Sequence, residues 1–262
     1  MRIASYGLTD AGCARTDNED RFVVCPELGY FAVVDGMGGA RNGALAAELT
    51  VATMQHYLES SRGRPDVTWP FGYNMSISLN ANRLETAIRL ANRQVWKRAD
   101  ERPEFGGMGS TVAVLLVEGS DVAVANIGDS RAYLFRAGKL SQITTDDTWL
   151  HAVLADSALN PASLERHPMR NVLTQAVGSQ NDVVVHTAEL ELQPGDWLVL
   201  TTDGLHAVAG DEAIRSVLER MERPEDSAKR LIQEARSAGG PDNISCVVVA
   251  AEGSQAILRN EI

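Results

Sequence analysis

The sequence is short of cysteine and of positive charge, and it has no long apolar run. Its three cysteines, Cys13, Cys25 and Cys246, lie far apart in 262 residues and include no Cys-x-x-Cys pair. That excludes a disulfide scaffold and a structural zinc site, and predicts reduced thiols in a cytoplasmic protein. Lysine and arginine number 24 against 35 aspartates and glutamates, a net charge of −11. Nucleic-acid binders present a basic face and membrane-surface helices a basic stripe, so neither partner is expected. No apolar stretch approaches the roughly 20 residues that span a bilayer. The opening MRIASYGLTD holds no apolar core of a secretion signal. Several catalytic signatures are missing as well. There is no Gly-Lys-Ser/Thr phosphate loop, no Gly-x-Ser-x-Gly elbow and no His-Glu-x-x-His, and GMGGARNG lacks the third glycine of a dinucleotide fingerprint. The five histidines, at 56, 151, 167, 186 and 206, form no ligand spacing, and His206 reads as a packed side chain.

What is present is an ordinary apolar content, 44%, arranged in blocks. Strands are expected at 2–8, 21–25 and 30–35, and helices at 42–59 and 79–99. The second helix carries Leu84, Ala87, Ile88, Ala91 and Val95 at three-to-four spacing. Residues 62–75 hold two prolines, two glycines and the aromatics Trp69 and Phe71, and read as a loop packed by its own rings. Strands follow at 112–117, 122–127, 132–135 and 140–143, joined by the turns EGSD and RAGK. A polar stretch, 144–182, is expected to hold short helices. Strands at 183–190 and 197–200, helices near 211–221 and 225–237, and a final strand at 244–250 complete the chain. Blocks of strands and helices, in place of regular alternation, predict an α+β fold: antiparallel sheets covered by helices in a single domain over 1–262.

The stretch GYFAVVDGMGG ends an apolar strand on Asp35. Burying a carboxylate costs several kcal/mol unless it is paired or bound to metal. Taken alone, Asp-Gly is a turn. The device recurs, however. WLVLTTDGL ends on Asp203-Gly204, GGPDNISCVVVA starts its strand from Asp242, RTDNED brings Glu19 and Asp20 before FVVC, and IGDSR sets Asp129 after VAVAN. If those strands are neighbours, the acids cluster, and like charges that close do not all stay ionised without cations. An all-oxygen donor set suits magnesium, manganese or calcium over zinc. Arg15, four residues before Glu19, is either a surface salt-bridge partner or a planar fork for a phosphate. Two metals can hold a hydroxide for in-line attack on phosphorus, so phosphoester hydrolysis is the expected reaction class.

The set RTDNED, VVDGMGG, GMGSTV, NIGDSR, RNVLTQAVG, LQPGDWLVLTTDGL and GGPDNIS runs through nearly the whole chain. In that order it resembles the metal-dependent serine/threonine protein phosphatases (type 2C, or PPM), most of all their compact bacterial members. The resemblance implies a four-layer αββα sandwich with two manganese or magnesium ions at one end. Asp35 would bridge the two ions and Gly36 would supply its carbonyl. Asp203 and Asp242 would hold the first ion and Glu19 the second. Asp20 would support them from behind, Arg15 would grip the phosphate, and Asp129 matches an acid that helps bind a weaker third ion. A metal-bound hydroxide would attack phosphoserine or phosphothreonine directly, with no phosphoenzyme.

Three positions depart from the family pattern. Ala207 stands where many members have a further aspartate for the third ion, which leaves that site open. Asp146-Asp147-Thr148 replaces a common Asp-His-Ser at the start of a flap, here about 145–170. Met37 replaces a histidine that is a candidate general acid in animal members, so protonation of the leaving group would fall to metal-bound water. The expected partners are a phosphoprotein substrate and a cognate serine/threonine kinase, in one setting that of type VI secretion signalling, in another a phosphorylated anti-sigma antagonist. The alternative from another class is a pseudophosphatase that binds phosphoproteins without cleaving them.

Overall fold

The computed structural model describes residues 1–39, 42–64, 66–156, 164 and 167–252. Its centre is a pair of five-stranded antiparallel sheets. The first contains β1 (Arg2–Asp10), β8 (Arg131–Arg136), β9 (Lys139–Gln142), β11 (Trp197–Thr201) and β12 (Ile244–Glu252), in the order β1-β12-β11-β8-β9. The second contains β2 (Arg21–Cys25), β3 (Tyr30–Val34), β6 (Val112–Glu118), β7 (Asp121–Ile127) and β10 (His186–Glu191), in the order β10-β7-β6-β3-β2. A small ladder pairs β4 (Gly36–Met37) with β5 (Gly109–Ser110).

Strand alternation assigns the faces. Successive side chains point to opposite sides of a sheet. Phe31 and Val33 of β3 meet Leu198, Leu200, Val247 and Val249 between the sheets. Tyr30, Ala32 and Val34 face away, onto α1 (Asn42–Ser61) and α2 (Leu79–Glu101). In β12, Ile244, Cys246 and Val248 face the other helix layer, α4 (Asp203–Leu218) and α5 (Pro224–Ser237). The order of layers is therefore α1/α2, sheet, sheet, α4/α5, an αββα sandwich. Because the central strands are covered on both faces, their sequences are continuously apolar and do not alternate.

The element boundaries differ from the sequence reading in three places. The third helix of the expected set starts at Asp203, not 211, and runs through a kink at Gly210 (φ 79°). Asp203-Gly204 is thus the first turn of a helix, not a free turn. The strand expected from 183 begins only at His186. The segment 144–182 holds α3 (Trp149–Asp156) and two isolated bridges, Ser110 with Val177 and Thr148 with Leu173. Part of the expected flap, 157–163 and 165–166, lies outside the described residues. The aromatic loop does pack on itself: Trp69 and Tyr73 meet edge-on at 5.0 Å, and Phe71 lies under the guanidinium of Arg93 at 4.2 Å.

Candidate active site

Strand register brings the acids together. Antiparallel partners run in opposite directions, so the end of one strand lies beside the start of the next. Arg21 pairs with Val34, Val33 with Ala113 and Val112 with Ile127. Glu19 and Asp20, Asp35, and Asp129 therefore leave the second sheet at one edge. In the other sheet Thr201 pairs with Cys246, and Asp10 with Ile244. Asp203, Asp242 and the Arg15 loop leave at the matching edge. Between the two edges lies a cavity of about 410 Å³ whose lining includes Arg15, Glu19, Asp35, Asp129, Asp203 and Asp242, with Gly36 beside them.

Each group has a specific support. Asp20 is buried behind the cavity and accepts hydrogen bonds from Thr202 Oγ1 at 2.9 Å and Ser245 Oγ at 2.7 Å. Asp35 leads into the β4 ladder: its carbonyl accepts from Thr111 N–H at 2.8 Å. Glu19 N–H donates to Asn243 Oδ1 at 2.8 Å, and Asn243 Nδ2 donates to the carbonyls of Ala11 and Asp17. Asn243 thus clips the loop that carries Arg15 and Glu19 to the start of β12. Arg15, more than half exposed, donates through Nη2 to Asp242 Oδ2 at 2.8 Å. Both sequence alternatives for Arg15 meet here, because its salt-bridge partner is itself a cavity acid.

The electrostatics are those of a crowded anion site. Burial, then the charges of Asp20 and Asp203, push the Asp35 carboxyl well above the usual carboxylate range. Burial likewise lifts Asp129 to about 7, with Asp203 and Asp146 adding to it. Asp20 rises to about 7 through burial, its two hydroxyl donors pulling the other way. Asp203 is raised by burial and by Asp242. Protein donors satisfy this set only in part. Asp203 Oδ1 and Asp20 Oδ1 are buried without a hydrogen-bond partner.

These features fit divalent cations. The donors are all oxygen, they repel one another, and one of them, Asp203 Oδ1, is buried with no partner. Close backbone approach shapes the same place. A Cβ on Gly36 would lie 2.1 Å from the Gly43 carbonyl oxygen and 2.7 Å from that of Glu19, so only glycine fits. Among the described residues, no three Asp, Glu, His or Cys side chains by themselves form a metal-ligand set in this conformation. Backbone carbonyl and water would complete the coordination.

Sequence reasoning missed the groups that hold the acids. Thr202, Ser245 and Asn243 sit inside the quoted motifs TTDGL and GGPDNIS, yet hydroxyls and amides carry no spacing signal of their own. In the sequence Asp147 stands out only as a departure from the family pattern. It is buried and accepts from Gly128 N–H at 2.9 Å and Gln175 Nε2 at 3.3 Å, and it pairs with His186 Nε2 at 2.8 Å. It anchors the loop that carries Asp129. His206 is packed as expected: it is buried, 2.9 Å from Thr201 Oγ1, and burial holds it neutral.

Comparison with known proteins agrees with the motif pattern. The profile described as Protein phosphatase 2C matches residues 13–237. The chain belongs to the protein phosphatase 2C family of metal-dependent phosphatases. It is similar to the serine/threonine protein phosphatase PstP of Mycobacterium tuberculosis H37Rv, at 33% identity over 242 residues. The match covers 92% of this chain and 43% of PstP, so the chain spans under half of that relative's length. The serine/threonine phosphatase stp of Listeria welshimeri is 30% identical over 92% of this chain and 93% of its own. Among solved structures, PppA, described as a key regulatory component of T6SS in Pseudomonas aeruginosa, superposes with a TM-score of 0.79 at 30% identity, over 96% of this chain and 98% of its own. The catalytic domain of PstP in complex with 2 manganese ions superposes with a TM-score of 0.79 at 29% identity, over 96% and 99%. No helix among the described residues is long and apolar enough to cross a membrane.

Proposed function

We propose that the chain is a divalent-cation-dependent phosphatase that hydrolyses phosphoserine and phosphothreonine on proteins. One observation carries the reading: Asp35, Asp203, Asp242, Glu19 and Asp129 line one cavity with Arg15. Asp35, Asp203, Asp242 and Glu19, with the Gly36 carbonyl, are the residues that would hold two manganese or magnesium ions. The manganese-bound PstP domain supports that number. Ions held there would supply a water of lowered pKa and neutralise charge on the phosphate. Arg15 presents a planar fork that exchanges Asp242 for a phosphoryl oxygen pair. Asp20, fixed by Thr202 and Ser245, supports the cluster from behind without entering the cavity. Asp129, with Ala207 in place of a second acid, is the carboxylate left for a weaker third ion. Met37 can neither give nor take a proton, so the site offers no side-chain general acid at that position.

The reading places the chain in the cytoplasm, opposing a serine/threonine kinase. The likeness to PppA supports a signalling setting of the T6SS kind. Binding without cleavage is disfavoured, because every acid and the arginine needed for hydrolysis reach the cavity. The test is phosphate release from a phosphothreonine peptide with manganese, with magnesium and with chelator. Turnover should require metal, and Asp203→Asn should lower it about 1,000-fold or more, the scale of losing a central electrostatic group. Metal-independent turnover, or an active Asp203→Asn, would contradict the proposal.

A further inference from the structure

Beside the catalytic cavity lies a second groove, of about 360 Å³, that the hydrolytic groups do not use. Met37 lines both, so the two spaces share one side chain. Met37 stands two residues beyond Asp35, at most about 7 Å along an extended chain. The groove's lining also includes Trp96, Ser179, Gly107 and Gly178, and Asp100 is the only charged group among its described residues.

Trp96 is the unexplained residue. It lies on α2 next to Val95, whose side chain belongs to the helix–sheet core with Leu84, Ala87, Ile88 and Ala91. Trp96 is outside that core and half-buried. A large ring that does not hold the helix to the sheet is free to serve a ligand. Its neighbours suit that use. Met37, half-buried between the two spaces, is a soft, adaptable side chain. A Cβ on Gly107 would meet nothing within 4 Å, so the groove is open there. On the opposite count, Gly178 packs against α2 so closely that a Cβ would lie 2.3 Å from Val95 Cγ1, which fixes the groove's position on the helix.

Building on the phosphatase reading, we propose that this groove seats a bulky apolar side chain of the substrate polypeptide, within about three residues of the phosphorylated one, and that Trp96 selects it. A strand rises about 3.3 Å per residue. A phosphoresidue in the cavity therefore brings a near neighbour over Met37, the side chain the groove shares. Asp100 at the same groove repels acidic flanks, so neutral or basic sequences are favoured around the apolar anchor.

The test is a set of phosphothreonine peptides with leucine or serine at each of the three positions on either side. Wild type should show a preference for leucine at one position, of about fivefold to tenfold and mainly in KM, the scale of partly burying one aliphatic side chain. Trp96→Ala should abolish that preference and Trp96→Phe should keep most of it. Hydrolysis of p-nitrophenyl phosphate, which does not reach the groove, should stay within about twofold in all three. No leucine preference in wild type, or the same preference in Trp96→Ala, would overturn the assignment. So would an equal loss on every substrate. Calorimetric binding of the same peptides to the Asp203→Asn chain reads the leucine preference without turnover. A chain that hydrolyses nothing would then sink the phosphatase reading while the groove was still decided by binding.

Discussion

Asp20 touches no solvent, yet it holds the site together. Its Oδ2 takes two hydroxyl donors, Thr202 Oγ1 from just beyond β11 and Ser245 Oγ from β12, the strand pair that ends at the cavity. Ser245→Ala removes one donor from a buried carboxylate and should cost about 1–3 kcal/mol, read as a lower urea midpoint with an unchanged slope. Gly204 is the steric counterpart. A Cβ there would lie 1.9 Å from the Asn243 carbonyl oxygen. Gly204→Ala must displace Asn243, and with it the clip on the Arg15–Glu19 loop. It should lower stability by about 1–3 kcal/mol, as overpacking does, and reduce turnover besides. Full activity in a Gly204→Ala chain of wild-type stability would refute this account of the clip. The acids themselves were legible in the sequence, because a carboxylate at the end of an apolar strand is costly and therefore conspicuous. Their supports were not, because serine, threonine and asparagine are common at turns for many reasons.

At the scale of elements, the continuous apolar runs identified the central strands, since both of their faces are covered. The start of α4 was hidden. Asp-Gly is ordinary turn chemistry, and the residue before it, Thr202, is tied to Asp20 and Ser245, contacts far away in sequence. The flap base was hidden for the same reason. Asp147 links Gly128, Gln175 and His186, from three separate segments. Its hydrogen bond to His186 raises the histidine's pKa. A raised folded value means the pair's stabilisation is full below the unfolded value, about 6.5, and is lost as pH rises through the folded one. The Tm advantage of wild type over His186→Ala should therefore be greatest near pH 6 and shrink toward pH 9. An advantage that grows with pH would reverse the sign and contradict the pairing.

For the whole molecule, the sandwich brings loops from both sheets to one edge, and the price is a concentration of like charge. Asp20 and Asp129 titrate near 7, and burial raises Asp35 and Asp203 as well. Raised carboxyl values mean that the folded chain binds more protons than the unfolded one. Without divalent cation, these groups cost nothing below about pH 4 and progressively more as pH rises toward 7. Manganese should raise Tm by several degrees at pH 8, through binding to the folded state alone, and by less at pH 6, where protons compete. A Tm gain that is the same at both values would argue against the carboxylates as the ligands.

The most direct measurement is a calorimetric titration of manganese into the chelator-stripped chain at pH 8. The account predicts saturation at two ions per chain, with Asp35→Asn, which removes a carboxylate that the proposal gives to the ions, abolishing the stoichiometric heat while the protein stays folded. A folded wild-type chain that shows no saturable heat, or an Asp35→Asn chain that binds as wild type does, would contradict it.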